Sequence, residues 1–292
     1  MSRAAGVARR LAARAQRSLP GRVVSRVQQD NGTSRAVLIA WNGLQSLFPI
    51  ALALAAILGA VLGAVGVDSR VVYEAVAAAI PDQAGREQVL EALRGVKEQT
   101  GLFAILGIVG LLWSASNLFG AMEEAFDAIF HVPTRGFLRQ KLMAVVMMLI
   151  FTVLAGTAVV SSTFLPMLGS LPGIGISGLT HGTASGAIRF VFGATAGFLL
   201  FFAIYYVVPN RAQQVREVWP GALFAGIAFE IVTLAFPLYL ALAGPGMNRY
   251  GRTFGLLFVL MVFFYLVGLV TVVGMELNAV LRPPPEAAPR PG

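Results

Sequence analysis

Along the 292-residue chain, hydrophobic positions gather into runs of about 20 residues or more, parted by shorter polar stretches. A helix rising 1.5 Å per residue needs roughly 20 such residues to cross about 30 Å of bilayer hydrocarbon. Six runs come close to that length, at 36–64, 102–120, 142–165, 187–209, 219–243 and 254–281. They predict an all-α fold, a polytopic membrane helical bundle of six transmembrane helices, forming one domain over residues 36–281. Pro49 and Pro237 fall inside two of the runs. Each lacks an amide hydrogen and frees the carbonyl four residues back, so each predicts a helix kink.

The flanking stretches differ in kind. Residues 1–29 carry seven arginines and no acid, with Val7, Leu11 and Leu19 along one helical face. That pattern predicts an amphipathic helix at the membrane surface, drawn to anionic lipid, within a basic cytoplasmic segment 1–35. A cleavable targeting peptide is the alternative, but no compact apolar core with a small-residue cleavage site precedes the first run. Residues 67–101 mix six acids with four basic residues and space Val89, Leu90, Leu93 and Val96 helically, which predicts short amphipathic helices in the first outer loop. The proline-rich end, 282–292, cannot build a helix or bury a core and is expected to be disordered.

Composition sharpens this picture. Hydrophobic residues make up 57% of the chain and charged residues 12%, with a mean hydropathy of +0.76, which argues against a soluble enzyme. With no cysteine, disulfides, thiolate metal sites and cysteine nucleophiles are excluded. The net charge of +8 suggests a nucleic-acid partner until the basic residues are mapped on the spans. Fifteen of the 22 then fall on the amino-terminal side of the membrane and seven opposite, which predicts both termini in the cytoplasm and explains the charge without nucleic acid. Trp41, Tyr205, Tyr206 and Trp219 fall near the same inner interface, as an aromatic belt would.

Two acids stand inside the apolar runs. Glu230 lies about eleven residues into the fifth span, roughly 16 Å along it, near mid-membrane. An ionised group there costs at least about 2.5 kcal/mol, so it needs water, a proton or a partner. Thr233 and the carbonyl freed by Pro237 share its stretch of helix. Glu276 is shallower, and Asn42, Gln45, Ser46, Ser114, Asn117 and Asn278 fall at similar depth in the expected topology. These residues predict a polar cavity open to the cytoplasm, with Glu276 on its wall and Glu230 towards its deep end. The alternative is a set of interhelical hydrogen bonds that only lock the bundle, each worth about 0.6 kcal/mol. Gly59/Gly63, Gly193/Gly197 and Gly251/Gly255 are small-residue pairs suited to close helix packing. Homo-oligomerisation is left open.

Glu123, Asp127 and His131 recur at i, i+4 and i+8, where a continuous helix would stack them as a cation site requires. Pro133 soon ends that helix, and a solvated acidic face is the expected reading. His181 has no acid or second histidine nearby, and "LPGIGISG" lacks the lysine of a phosphate loop. No metal, no cofactor and no catalytic constellation is expected.

Several blocks together resemble one family. "DNGTSRAVLIAWNGLQSLFPI" (Asp30–Ile50) is similar to the first-span signature of the YihY/BrkB membrane proteins. "LLWSASNLFGAMEEAFDAIF", "VWPGALFAGIAFEIVTLAFPLYL", "YGRTFGLLFVLMVFFYL" and "GMELNAV" follow in the family's order, so the resemblance covers residues 25–281. It aligns Glu230 and Glu276 with acids that recur in members, along with Ser46, Pro49, Pro220, Gly221, Tyr239, Tyr250, Gly251 and Gly274. The chain departs at Asn42 and Gly43, where members more often carry an aromatic pair or an Ala-Tyr stretch. The resemblance implies a multi-pass protein of the bacterial inner membrane, linked to envelope integrity and movement of a lipid A precursor or other lipid. An older ribonuclease BN label also travels with the family, and no hydrolytic constellation here supports it. The expected function is a transporter or flippase of a lipid-like, anionic amphipathic substrate, with membrane lipids as partners; a non-transporting envelope scaffold is the alternative.

Overall fold

A computed structural model of the chain describes residues 18–65, 100–169, 183–247 and 252–282. Those residues form seven helices and no strand: α1 (Leu19–Gln29), α2 (Gly32–Val65), α3 (Thr100–Ile129), α4 (Phe137–Gly169), α5 (Thr183–Val207), α6 (Val215–Met247) and α7 (Arg252–Leu281). Each expected span falls within one helix, except that 208–209 lie past the end of α5. Residues 1–17, all but the last two residues of the outer-loop segment 67–101, the glycine-rich connection with His181 and the tail from 283 lie outside the described residues.

Local chemistry fixes the helix ends. Ser18 caps α1, its hydroxyl accepting from the Gly21 amide at 3.3 Å, and Pro20 sits in the first turn, where no amide hydrogen is needed. Asp30 and Asn31 alone separate α1 from α2. Asn31 takes φ of 53°, a left-handed conformation that asparagine tolerates, and so interrupts the helix there. His131 does the same after α3 at φ 55°, and the Val132 amide donates back to the Asp127 carbonyl at 2.8 Å. α2 continues through Pro49 and α6 through Pro237, so neither proline ends its helix.

The chain divides into two compact units, residues 45–117 and the remainder. In the smaller unit Ser46, Ser114 and Ser116 are buried, and Gly110 lies against Pro49. In the larger unit α6 packs along both α5 and α7, α4 lies on α5, and α1 lies on α7. Contacts between α5 and α6 run antiparallel in register: Gly193 meets Glu230, and a side-chain carbon added to Gly197 would lie 3.2 Å from the Gly226 backbone. The expected packing role of the Gly193/Gly197 pair is therefore realised. Phe201–Phe229 and Phe236–Phe263 contacts continue the α5–α6 and α6–α7 seams. The start of α2 also rests on α7, with Gly32 against Val272, Ala36 against Gly268 and Gly43 against Phe264.

Among the described residues, three helical stretches are long and apolar enough to cross a membrane: Phe190–Val207, Val215–Ala241 and Leu257–Leu281. Their outward faces carry Phe192, Leu199, Ile231, Leu234, Leu238 and Phe258, all exposed. An apolar exterior of that extent suits hydrocarbon rather than water. The last turns of α7 are the reverse case, since Val272, Met275, Glu276, Asn278 and Ala279 are all buried there. α1, α2 and α6 each reach this end, which is why it is enclosed.

Candidate functional site

Two glycines allow the enclosed end of α7 to form. A side-chain carbon on Gly221 of α6 would strike the Gly274 carbonyl, and one on Gly274 would strike the Tyr205 hydroxyl of α5. The Tyr205 hydroxyl donates to the Thr271 carbonyl at 2.9 Å. Asn278 bridges to α6, accepting from the Gly221 amide at 2.6 Å and donating to the Val218 carbonyl at 3.2 Å. Asn278 thus satisfies both ends of its amide in a dry node, as an interhelical lock does.

Glu276 lies between Gly274 and Asn278 in sequence and is 0% exposed, with neither carboxylate oxygen receiving a hydrogen bond. Asp30 reaches the same end of α7, between Arg22, which donates to the Val280 carbonyl at 3.1 Å, and Gly32, which lies against Val272. Asp30 Oδ2 is also buried without a donor. The Arg35 guanidinium is engaged elsewhere, with the Asp30 carbonyl at 2.8 Å and the Glu124 carbonyl at 3.4 Å.

Glu230 is placed differently. Its carboxylate lies on α5 where Gly193 has no side chain, and it is half-buried between the two helices. Thr233 turns its hydroxyl to the Phe229 carbonyl of its own helix at 3.0 Å. Asn42 likewise donates to its own helix, to the Leu38 carbonyl at 2.9 Å. Gln45 and Asn117 belong to the smaller unit. The two acids are not brought together. Gly221 marks the level of the α7 node, and Glu230 lies nine residues further along α6, about 14 Å away. An open groove of about 270 Å³ does lie between α2 and α7, but Val37, Ala40, Trp41, Leu44, Phe258, Met261, Val262 and Tyr265 line it, and neither acid does.

The reading of Glu123 and Asp127 as a solvated face is corrected by the structure. Both are buried, at 0% and 1% exposure, while His131 is exposed and lies past the helix end, so the three do not stack. The cause is Arg135, which returns over the end of α3. Its guanidinium donates to Glu123 Oε1 at 3.2 Å, to the Val207 and Pro209 carbonyls at 3.2 and 2.7 Å, and to the Val208 carbonyl. Asp127 Oδ1 accepts from the Asn210 amide at 2.7 Å. Burial pushes the Asp127 carboxyl up to about 6, with the Glu123 charge adding and the Asn210 amide and Arg135 opposing. Sequence spacing found the acids; their burial depends on a loop some 80 residues away. No group of three His, Cys, Asp or Glu able to hold a metal ion occurs among the described residues.

Comparison with known proteins places the chain among membrane proteins. It is 31% identical over 192 residues to the ribonuclease-like protein YfkH of Bacillus subtilis (strain 168), covering 64% of this chain and 68% of that one. It is 26% identical to a UPF0761 membrane protein of Chromohalobacter salexigens, over 88% of this chain but 61% of the relative, less than two thirds of that protein's length. A UPF0761 membrane protein of Alteromonas mediterranea is 25% identical over 91% of this chain and 88% of its own. No solved structure matches. The family model described as virulence factor BrkB matches residues 23–291, which takes in most of α1, the α7 node and both membrane acids. The chain belongs to the virulence factor BrkB family of integral membrane proteins.

Proposed function

We propose that the chain is a six-span carrier or flippase of the bacterial inner membrane, moving a lipid-like, anionic amphipathic substrate without a cofactor or enzymatic turnover. The observation that carries this reading is Glu276, fully enclosed and without a donor on either oxygen. Replacing buried ionic groups by well-packed apolar residues is often neutral or stabilising, so a carboxyl whose oxygens receive no donor fits a moving part better than a lock. Glu230, about halfway along its span and free of any ion pair among the described residues, supports the same reading. The described residues hold Glu276 in a packed node instead of on the wall of a polar cleft, so passage requires the α5–α6–α7 contacts to part. Arg22 and Arg26 of α1, the first exposed and the second half-buried, supply attraction for anionic headgroups, with membrane lipid as partner.

Reconstitution into liposomes with a fluorescent anionic lipid tests the proposal. Wild type should move the lipid between leaflets, and Glu230→Gln and Glu276→Gln should each slow it by about tenfold or more, the range of a 1.4 kcal/mol loss. Absence of movement with wild type, or equal rates in all three proteins, would overturn it. The Asn278 bridge to α6 and the close packing of Gly197 on Gly226 favour a second reading, a non-transporting envelope scaffold. A scaffold predicts that the same substitutions alter only unfolding temperature. RNA cleavage forms no part of either reading.

A further inference from the structure

We propose that the α5–α6 connection, residues 208–214, is a strap closed over the end of α3, and that a proton on Asp127 decides how often the strap opens. The inference goes beyond the transport reading and does not depend on it.

The closure is made from both sides. Arg135, between α3 and α4, donates to the Val207 and Pro209 carbonyls at 3.2 and 2.7 Å and to the Val208 carbonyl. Asp127 Oδ1 accepts from the Asn210 amide at 2.7 Å, and the Asn210 side chain donates to the Pro133 carbonyl at 2.7 Å. The Arg211 guanidinium then lies over the Phe130 ring, 4.8 Å from its centre. Every residue from Val207 to Arg211 is thus tied to α3 or to the turn that follows it.

Charge inside the closure does not balance. Glu123 and Asp127 stand one helical turn apart on α3 and both are enclosed, yet the salt bridge here is Arg135 to Glu123, at 3.2 Å. Asp127 has a neutral amide on Oδ1 and no donor on its buried Oδ2. The other charged groups nearby do not supply one. Arg211 pairs with Glu217 at 3.5 Å, Arg35 of α2 donates to the Glu124 carbonyl, Lys141 of α4 lies over Phe137, and His131, Arg139 and Glu124 are exposed. From α5, Tyr205 gives its hydroxyl to the Thr271 carbonyl. Two enclosed carboxyls with one guanidinium leave one negative charge over, and a proton on Asp127 cancels it. Burial pushes the Asp127 carboxyl up to about 6, in line with a proton held there. An open strap returns Asp127 to water and to its ordinary 3.8. Closure is therefore best supported below about pH 4 and weakens as pH rises through about 6, where the enclosed carboxyl ionises beside Glu123.

Because the chain has no cysteine, a single introduced thiol reports opening. Val208 is enclosed, and Arg135 holds its carbonyl, not its side chain. In full-length Val208→Cys in lipid nanodiscs, reaction with a water-soluble thiol reagent tracks the open population, as cleavage of a transiently opened segment does, once thiol ionisation is corrected with an unfolded cysteine peptide. From about pH 5 to about pH 7 the rate should rise about tenfold and then level off, the change that values of about 6 closed and 3.8 open produce. Asp127→Asn in the same background should react slowly with no slope, since its amide oxygen still accepts from Asn210 and carries no charge. Val272→Cys, enclosed at the end of α7, should react far more slowly than Val208→Cys at every pH. Equal rates at the two sites would mean that the strap opens only with the whole bundle, and would sink the proposal. A flat Val208→Cys rate, or a slope that survives Asp127→Asn, does the same. Should a variant fail to fold, hydrogen–deuterium exchange of wild type decides: the Asn210 amide, corrected for its intrinsic rate, must exchange faster over the same range, and unchanged protection rejects the strap.

Discussion

Arg135 shows how much one side chain can hold. It links Glu123 to three consecutive carbonyls of the α5–α6 connection, and its loss leaves Glu123 enclosed with no positive partner. Arg135→Ala should cost about 3 kcal/mol, the low end for breaking a buried pair, because the guanidinium arm keeps 18% exposure. Denaturant unfolding in detergent measures it, and Arg135→Lys should recover little, since an ammonium cannot span the same fork. Asp127 gives the opposite sign. Its carboxyl titrates at about 6 in the folded chain against an ordinary 3.8, so between those values the folded state holds more protons than the unfolded one. Stability should fall as pH rises from about 4 to 6 and level off above, and Asp127→Asn should remove that slope while raising the unfolding temperature at neutral pH. The spacing of Glu123 and Asp127 was visible in the sequence, but the expectation of a solvated face failed. Helical periodicity locates a residue on its own helix and says nothing about a loop that folds back over it.

At the scale of elements, the glycines decide how closely α5, α6 and α7 approach. A methyl group on Gly226 would meet the Phe198 amide nitrogen at 2.5 Å and the Ala194 carbonyl at 3.0 Å, both backbone atoms that cannot step aside. Gly226→Ala should therefore destabilise the chain by about 1–3 kcal/mol, measured by thermal unfolding in detergent. Gly193→Ala acts on a side chain instead, displacing the Glu230 carboxylate. It should depress lipid movement in the reconstituted assay with a smaller loss of stability than Gly226→Ala, which separates a role for Glu230 from simple packing. The Gly193/Gly197 pair was readable as a contact because small residues four apart share a helix face. Gly226, Gly221 and Gly274 were not, since each is defined by the partner helix: a lone glycine opposite a carbonyl carries no pattern of its own. The six apolar runs, by contrast, gave the helices to within a few residues at most ends, the largest extension being α3, which runs on to Ile129 and carries the acids into the Arg135 cluster.

For the whole molecule, the described residues establish an all-helical chain with three stretches fit to cross a bilayer, and six crossings follow from the proposed topology. Six crossings put both ends of the described chain on one side. Single cysteines replacing Ser18 and Arg282 should both react with an impermeant reagent added to the cytoplasmic face and resist it from outside; opposite sidedness would require an odd number of crossings. The sequence could suggest this arrangement through its arginines, yet not that Arg22 reaches the Val280 carbonyl, because a meeting between residues so far apart depends on how the bundle closes. The α1–α7 contact has a consequence for biosynthesis. Arg22 and its acceptor, the Val280 carbonyl, are 258 positions apart, so a ribosome reaches α7 only long after α1 has emerged. Throughout translation the nascent amino-terminal helix has no docking site and must wait, solvated or resting on lipid, until the final helix is inserted. Its engagement then marks the moment at which the translocon has delivered a finished bundle.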